Sequence, residues 1–284
     1  VWSMYIIWKG VSMSFYVERY NGIIPLETRK IISTRYKTVT KAINREFWNS
    51  LSDTQNSIYV GSYGRRTAIN TSDLDILVLL PESEYNRFDS LKGNGQSRLL
   101  QAVKNAIMNA YPRSDVRADG QVVKILFTDG MKFEVLPAFK NKDWLGNWDG
   151  TYKYPDSNMG GNWCSTNPKA EQEAMQIKNS NSNGLFVDTC RHLRYVRDNY
   201  FSSYHLSGIV IDSFVYAAIG NWQWSKPGST SSASKGNYEN VLLDYLTQHS
   251  YWGTMSLNAP GSNQSVSTQN SLECLKKVMD FIAK

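Results

Sequence analysis

The feature that most constrains this chain is an apolar run, Leu74 to Leu80, that opens on two aspartates, Asp73 and Asp75. The run reads as a strand, stopped by Pro81, since proline cannot donate to a ladder. Side chains at i and i+2 of a strand share a face, so the two carboxylates stand together at the mouth of a buried strand. There they repel unless a cation lies between them. Hard oxygen donors suit Mg²⁺, which keeps waters and takes further oxygens from phosphate. The plain alternative is an acidic turn that caps a strand. Just upstream, Ser57 to Val60 reads as a short strand ending at Gly61. Gly61 and Gly64 permit tight backbone geometry. Exposed amides and the Ser62 hydroxyl can then hold phosphate oxygens, helped by a helix N-terminus. A Gly-Ser turn taken alone is more commonly an ordinary strand-to-helix turn.

A third acid, Glu134, sits among apolar neighbours in Phe133-Glu-Val-Leu-Pro137. A glutamate in such a strand is rare unless it is paired or metal-bound. If this strand lies beside the first, Glu134 joins Asp73 and Asp75. Three acids can hold two metal ions roughly 4 Å apart for in-line phosphoryl displacement. One ion lowers the pKa of an attacking sugar hydroxyl and the other neutralises a pyrophosphate leaving group. Glu134 is also the natural general base. The alternative is a strand residue facing solvent.

Around this nucleus the periodicity predicts a long helix from about Leu26 to Leu51, with Ile31, Ile32, Tyr36, Val39, Ile43 and Phe47 at helical spacing. A second helix is expected over Ser97 to Tyr111. Strands are expected at Val122–Phe127 and Lys132–Leu136, joined by an Asp129-Gly130 turn. Residues 141 to 167 are rich in Gly, Asn, Asp and Trp and read as an ordered connection without regular structure. Beyond Pro168 the pattern is helical, over about 168–180, 186–200, 208–220, 237–249 and 269–283. A Ser/Gly/Lys stretch from Lys226 to Gly236 reads as a mobile loop. The expected organisation is α+β: residues 1–155 as a core lobe with a mixed sheet and a long N-terminal helix, and 156–284 as a helical lobe. An active site is expected in the cleft between them.

Composition agrees with a folded chain. The 284 residues are 41% hydrophobic, which supports a core and excludes wholesale disorder. The 17 Tyr and 9 Trp are core material first, though aromatics also stack on bases. A net charge of +6 suits an anionic substrate and is too small to demand long nucleic acid. Cys164, Cys190 and Cys274 are odd in number and far apart, which argues against a disulfide framework or zinc site and for a reducing compartment. His192, His205 and His249 form no close pair and read as structural or surface residues. No apolar run reaches the length of a membrane span. Val1 to Ser12 reads as a leader from an upstream start, with Met13 the natural beginning, and the location as cytoplasmic.

Gly-Ser, then Asp-x-Asp, then a later acid on another strand resembles the polymerase-β-like nucleotidyltransferases. Four segments narrow the resemblance: Val60-Gly-Ser-Tyr-Gly-Arg-Arg-Thr-Ala-Ile69, Ser72-Asp-Leu-Asp75, Phe133-Glu-Val-Leu-Pro-Ala-Phe139 and Trp163-Cys-Ser-Thr-Asn-Pro168. Together they resemble the bacterial CD-NTases, relatives of cyclic GMP-AMP synthase and oligoadenylate synthase. Ala259-Pro-Gly-Ser-Asn-Gln-Ser-Val266 is also similar to this group, and the resemblance runs from about Arg29 to the C-terminus. It implies a polymerase-β-like lobe followed by a helical lobe. It also implies a basic residue on a helix of the second lobe that contacts the donor triphosphate. In Arg191-His-Leu-Arg-Tyr-Val-Arg197, Arg194 matches the usual lysine best and Arg191 is second choice. A solvated helix face is the alternative for both. Ser213 fits a serine that begins the next helix and touches phosphate, and Asn167 fits a contact to a base edge. Two departures stand out. Glu134 replaces the Asp of many relatives, and arginine replaces the phosphate-contacting lysine, retaining charge in a forked geometry.

The resemblance implies template-independent synthesis of a cyclic di- or oligonucleotide signal from ribonucleoside triphosphates in a bacterial anti-phage operon. Two Mg²⁺ ions, with Mn²⁺ as a substitute, serve the chemistry. A separate effector senses the product, with no membrane or long nucleic acid as a stable partner. The residues alone support only nucleotide transfer. Transfer to RNA, protein or a small molecule, or a catalytically silent nucleotide-binding protein, are the other readings.

Overall fold

The computed structural model describes residues 16–19, 22–71, 73–226, 233–251 and 253–283. Helix α1 (Leu26–Phe47) follows Pro25 and buries Ile32, Tyr36, Val39 and Ile43 on one face, as the helical spacing dictates. It ends four residues short of the expected Leu51. The Asn44 side-chain amide donates to the Ser52 and Gln55 carbonyls and turns the chain back. Asn49 takes a left-handed φ of 47° there.

The chain continues through β1 (Ser57–Tyr59), the single turn α2 (Gly61–Gly64), β2 (Leu74–Leu79), α3 (Glu82–Asp89) and α4 (Gly95–Ala110). Then come β3 (Asp115–Asp119), β4 (Val122–Leu126), β5 (Lys132–Lys142), β6 (Trp148–Asp156) and β7 (Asn162–Thr166). Among the described residues these seven strands form one mixed sheet, ordered β1-β2-β5-β4-β3, with β6 on β5 and β7 on β6. Only β2 and β5 run parallel; the other pairs are antiparallel. Alternation gives the sheet two unlike faces. Leu74, Ile76, Val78, Val123, Ile125, Phe133 and Val135 form the main core with α1 and α4. The opposite face carries a smaller cluster of Leu77, Ala138 and Tyr152 with Val60. The Asp129-Gly130 turn joins β4 to β5, with Gly130 at φ 86°. Arg35 of α1 grips Asp129 through two bonds of 2.9 and 2.8 Å.

The stretch 141–167 is not irregular. Strand β5 runs on to Lys142, and β6 and β7 occupy most of the remainder. Pro137 does not stop β5. The adjacent Ala138 carbonyl accepts from Leu80 of β2, so residue 137 turns its backbone the other way. On that side β4 pairs as far as Val135 and β6 starts at Phe139, so the missing N–H interrupts no ladder. Two tryptophans of the stretch pack on the sheet, Trp148 against Tyr152 and Trp163 against Tyr85 and Phe139, while Trp144 is exposed.

By its internal contacts the chain divides into two compact units, one comprising 22–175 with 260–264 and the other 1–21, 176–259 and 265–284. The expected boundary at 155/156 therefore lies too early. Five cross-strand pairs bind β7 to β6, and Gln172 donates to the Tyr59 carbonyl at 2.8 Å. Helix α5 (Pro168–Asn181) spans the division. The second unit continues with α6 (Leu185–Tyr200), α7 (Gly208–Ala218) and α8 (Asn237–His249). Two short hairpins follow, β8 (Ser250–Tyr251) with β9 (Thr254–Met255) and β10 (Leu257–Asn258) with β11 (Ser265–Val266), before α9 (Leu272–Ile282). Phe186, Leu193, Val210, Phe214, Leu242, Leu275 and Met279 are among its buried residues. The Tyr16 and Val17 amides both donate to Glu239. Helix α9 starts at Leu272 instead of 269, because the Thr268 carbonyl closes a turn by accepting from Ser271 and Leu272. The readings of Val1 to Ser12 as a leader and of most of Lys226 to Gly236 as a mobile loop lie outside the described residues.

Candidate active site

The parallel register pairs Asp75 of β2 directly with Glu134 of β5. Leu77, Ala138 and the two acids share the face away from the main core, so the carboxylates end the row that the smaller apolar cluster begins. Asp73 precedes β2 by one residue and is exposed. The register continues from Glu134 to Lys124 of β4. The Lys124 ammonium lies 3.6 Å from Glu134 and 2.7 Å from Asp119. Lys124 was not legible as a site residue, since only strand order places it there.

Asp75 is held well above the ordinary carboxylate value, to about 6. Burial is the main cause, the Glu134 charge adds to it, Arg65 opposes it and Asp73 contributes last. The carboxylates thus repel one another in a partly desolvated setting. They are neighbours rather than a finished cage: among the described residues no three His, Cys, Asp or Glu side chains are already grouped to hold a metal.

The Gly-Ser turn packs against this pair. Val60 N–H donates to the Asp75 carbonyl at 2.9 Å, tying the end of β1 to β2. Gly61 has φ 56°, and a Cβ on it would fall 1.8 Å from Asp75 Oδ2. Only glycine allows that approach. Gly64 is pressed against the Tyr59 carbonyl and the Gln172 amide. The Ser62 carbonyl accepts from the Thr67 and Ala68 amides, which closes the turn. The expected helix N-terminus is only the four-residue α2, too short to build a substantial dipole. Arg65, which follows that turn, pairs with Glu171 at 3.3 Å and also acts on Asp75. Its only signal in the sequence was its place directly after Gly64.

The remaining residues have other surroundings. Asn167 caps α5, its Oδ1 accepting from the Ala170 amide at 3.1 Å. Arg191, Arg194 and Ser213 belong to the other unit. Arg194 is neither a solvated residue nor an open phosphate contact. At 1% exposure it bonds Asp212 at 2.6 Å, the Gly208 carbonyl at 2.9 Å and the Cys190 carbonyl at 3.2 Å. Arg191 is half-buried, and burial lowers its pKa below the usual guanidinium value. Ser213 does not begin α7; Ser207 directly precedes that helix and Ser213 lies in its middle, 1% exposed. Its Oγ has no hydrogen-bond partner among the described residues. No described helix is long and apolar enough to cross a membrane.

A mixed sheet that sets a Gly-Ser turn against acids on two parallel strands defines a nucleotidyltransferase fold. Solved structures share it at low identity. The Rhodothermus marinus CdnE c-UMP-AMP synthase, solved with Apcpp and Upnpp, matches with TM-score 0.60 and 14% identity over 94% of this chain and 92% of that one. Elizabethkingia meningoseptica CdnE, a cyclic dinucleotide synthase solved with GTP and Apcpp, matches with TM-score 0.60 and 14% identity over 89% of each chain. Vibrio cholerae DncV, a cyclic AMP-GMP synthase, matches with TM-score 0.58 and 13% identity over 90% of this chain and 81% of that one. Among curated proteins none matches the sequence. The model of the Second Messenger Oligonucleotide or Dinucleotide Synthetase domain matches residues 16–179, more than half of the chain. The chain belongs to that family, the bacterial CD-NTases.

Proposed function

We propose that this protein joins ribonucleoside triphosphates, without a template, into a cyclic di- or oligonucleotide second messenger and releases pyrophosphate. The observation that carries the reading is the in-register pair Asp75 and Glu134, set against Gly61 and flanked by Asp73. These carboxylates fit divalent metal: hard oxygen donors that repel one another, with the Asp75 pKa raised first by burial and then by the Glu134 charge. Asp73, Asp75 and Glu134 are the residues to hold two Mg²⁺ ions, for which Mn²⁺ can substitute. When bound, the metal supplies Lewis-acid activation of a sugar hydroxyl and charge neutralisation at the leaving pyrophosphate.

The chain's own part is to hold and orient. Gly61 keeps the turn close to Asp75, and Ser62 offers its amide and hydroxyl to phosphate oxygens. Glu134 accepts the proton of the attacking hydroxyl. A bond forms between that oxygen and the α-phosphorus, and the α-phosphorus bond to the pyrophosphate oxygen breaks. A second attack within the linear intermediate closes the ring. In the helical unit Arg194 is a poor triphosphate contact, because Asp212 and two carbonyls hold its guanidinium. The setting proposed is the bacterial cytoplasm, where the product drives a separate effector in anti-phage signalling.

Incubation with labelled triphosphates and Mg²⁺, without any other acceptor, tests the reading. A small phosphatase-resistant product is expected, and mass spectrometry identifies its bases. Label appearing only on added RNA or on protein sinks the proposal in favour of transfer to an acceptor.

A further inference from the structure

At the other end of β2 from Asp75, the sheet unit contains a cavity of about 300 Å³ that the acids do not reach. Leu79 on its wall is four residues along the strand from Asp75, about 13 Å away at the rise of an extended chain. Aromatic rings make up much of the lining. Trp48 is held in place by its Nε1–H, which donates to the Leu79 carbonyl at 2.8 Å. Tyr85 packs edge-on against Phe139, with ring centres 5.4 Å apart, and against Trp163 at 5.0 Å. Rings fixed in this way keep their positions without further loss of side-chain freedom.

The charge of the lining is positive. Lys140, Lys142 and Lys153 face a single acid, Glu82, which is paired with Lys142. The Lys140 ammonium stands instead over the Trp148 ring. The Lys153 ammonium stands 4.0 Å from the centre of the Tyr85 ring and has no carboxylate partner among the described residues. A ring face attracts an ammonium but takes up few of its three N–H donors, so most stay available for an anion. The Asn86 side-chain amide, also on the wall, makes no hydrogen bond among the described residues and offers both a donor and an acceptor.

We propose that this cavity is a second nucleotide site, independent of metal, that takes one nucleoside monophosphate. The base lies against the partly exposed Trp48 ring, where stacking accepts any base. The phosphate goes to Lys153, and the Asn86 amide meets a base or sugar edge. The volume is at the small end for ligand pockets, which run from about 300 to 1,000 Å³. It suits one base with one phosphate better than a triphosphate or a dinucleotide. No acid of the proposed synthase site takes part, so the two sites stand or fall separately.

The test is a fluorescence-anisotropy titration of methylanthraniloyl-AMP with the full chain in EDTA. Saturable binding is expected, displaced by unlabelled AMP and unchanged in Asp73→Asn/Asp75→Asn. Lys153→Glu should weaken it by about tenfold or more, with Lys153→Gln in between. Lys153→Gln keeps the side chain's bulk and serves if the reversed charge prevents folding. Absence of saturable binding overturns the proposal. So does displacement by inorganic phosphate as readily as by AMP, loss of binding in the double aspartate variant, or full affinity in both Lys153 variants.

Discussion

Asp75 and Asp212 are both aspartates drawn away from water, yet the fold treats them in opposite ways. Asp212, wholly buried in the helical unit, receives the Arg194 guanidinium at 2.6 Å. Asp75, in the sheet unit, has Glu134 beside it in register and Asp73 nearby, with Arg65 giving only partial relief. One charge is compensated within the fold and the other is left for something the fold does not supply. Compensation therefore separates scaffold from candidate site better than burial does.

The largest test of this contrast is functional. Asp73→Asn with Asp75→Asn should lower product formation by about a thousandfold or more while leaving a folded chain. Product yield and thermal unfolding measured side by side decide it, and near-normal synthesis would end the assignment. In the helical unit the effect should fall on stability instead. Arg194→Met leaves Asp212 buried without its main cation and should cost about 3–5 kcal/mol in urea unfolding. Arg194→Met with Asp212→Leu should recover most of that loss. A stable Arg194→Met that merely binds triphosphate less well would return Arg194 to the phosphate site.

Gly61→Ala comes next. Its Cβ would collide with the Asp75 carboxylate, so a stability loss of about 1–3 kcal/mol is expected, together with a deeper loss of turnover. The smallest effect has the opposite sign. The Asp75 pKa is raised from 3.8 to about 6, so between those values the folded chain holds more protons than the unfolded one. Stability then falls as pH rises through that window and stays lower above it. In metal-free buffer Asp75→Asn should therefore stabilise the protein at pH 7, by about 1–2 kcal/mol. The gain should shrink toward pH 4. Destabilisation at pH 7 would mean that Asp75 is compensated after all, like Asp212.

Much of this arrangement was legible before folding was considered. The α1 face of Ile32, Tyr36, Val39 and Ile43, the Asp129-Gly130 turn and the bounds of α8 follow from local periodicity and turn chemistry. So did the apolar β2 that begins just after Asp73. Strand β6 was illegible because Asp149-Gly150 and Pro155 imitate a turn; pairing with β5 and β7 overrides them. Strand β3, with acids at both ends and Arg117 between, looks like a surface loop until β4 pairs with it.

The sequence by itself determined which residues could bear the chemistry: a glycine turn, two aspartates two residues apart, and one glutamate in an apolar strand. Those are local facts of spacing and side-chain type. Tertiary structure alone decided which charges meet. Parallel pairing of β2 with β5 set Glu134 beside Asp75, and β4 brought Lys124 to Glu134. The packing of α6 on α7 enclosed Arg194 with Asp212, 18 residues apart in the chain. Whether an ionised group is answered or left unanswered depends on partners distant in the chain, and spacing does not reveal them.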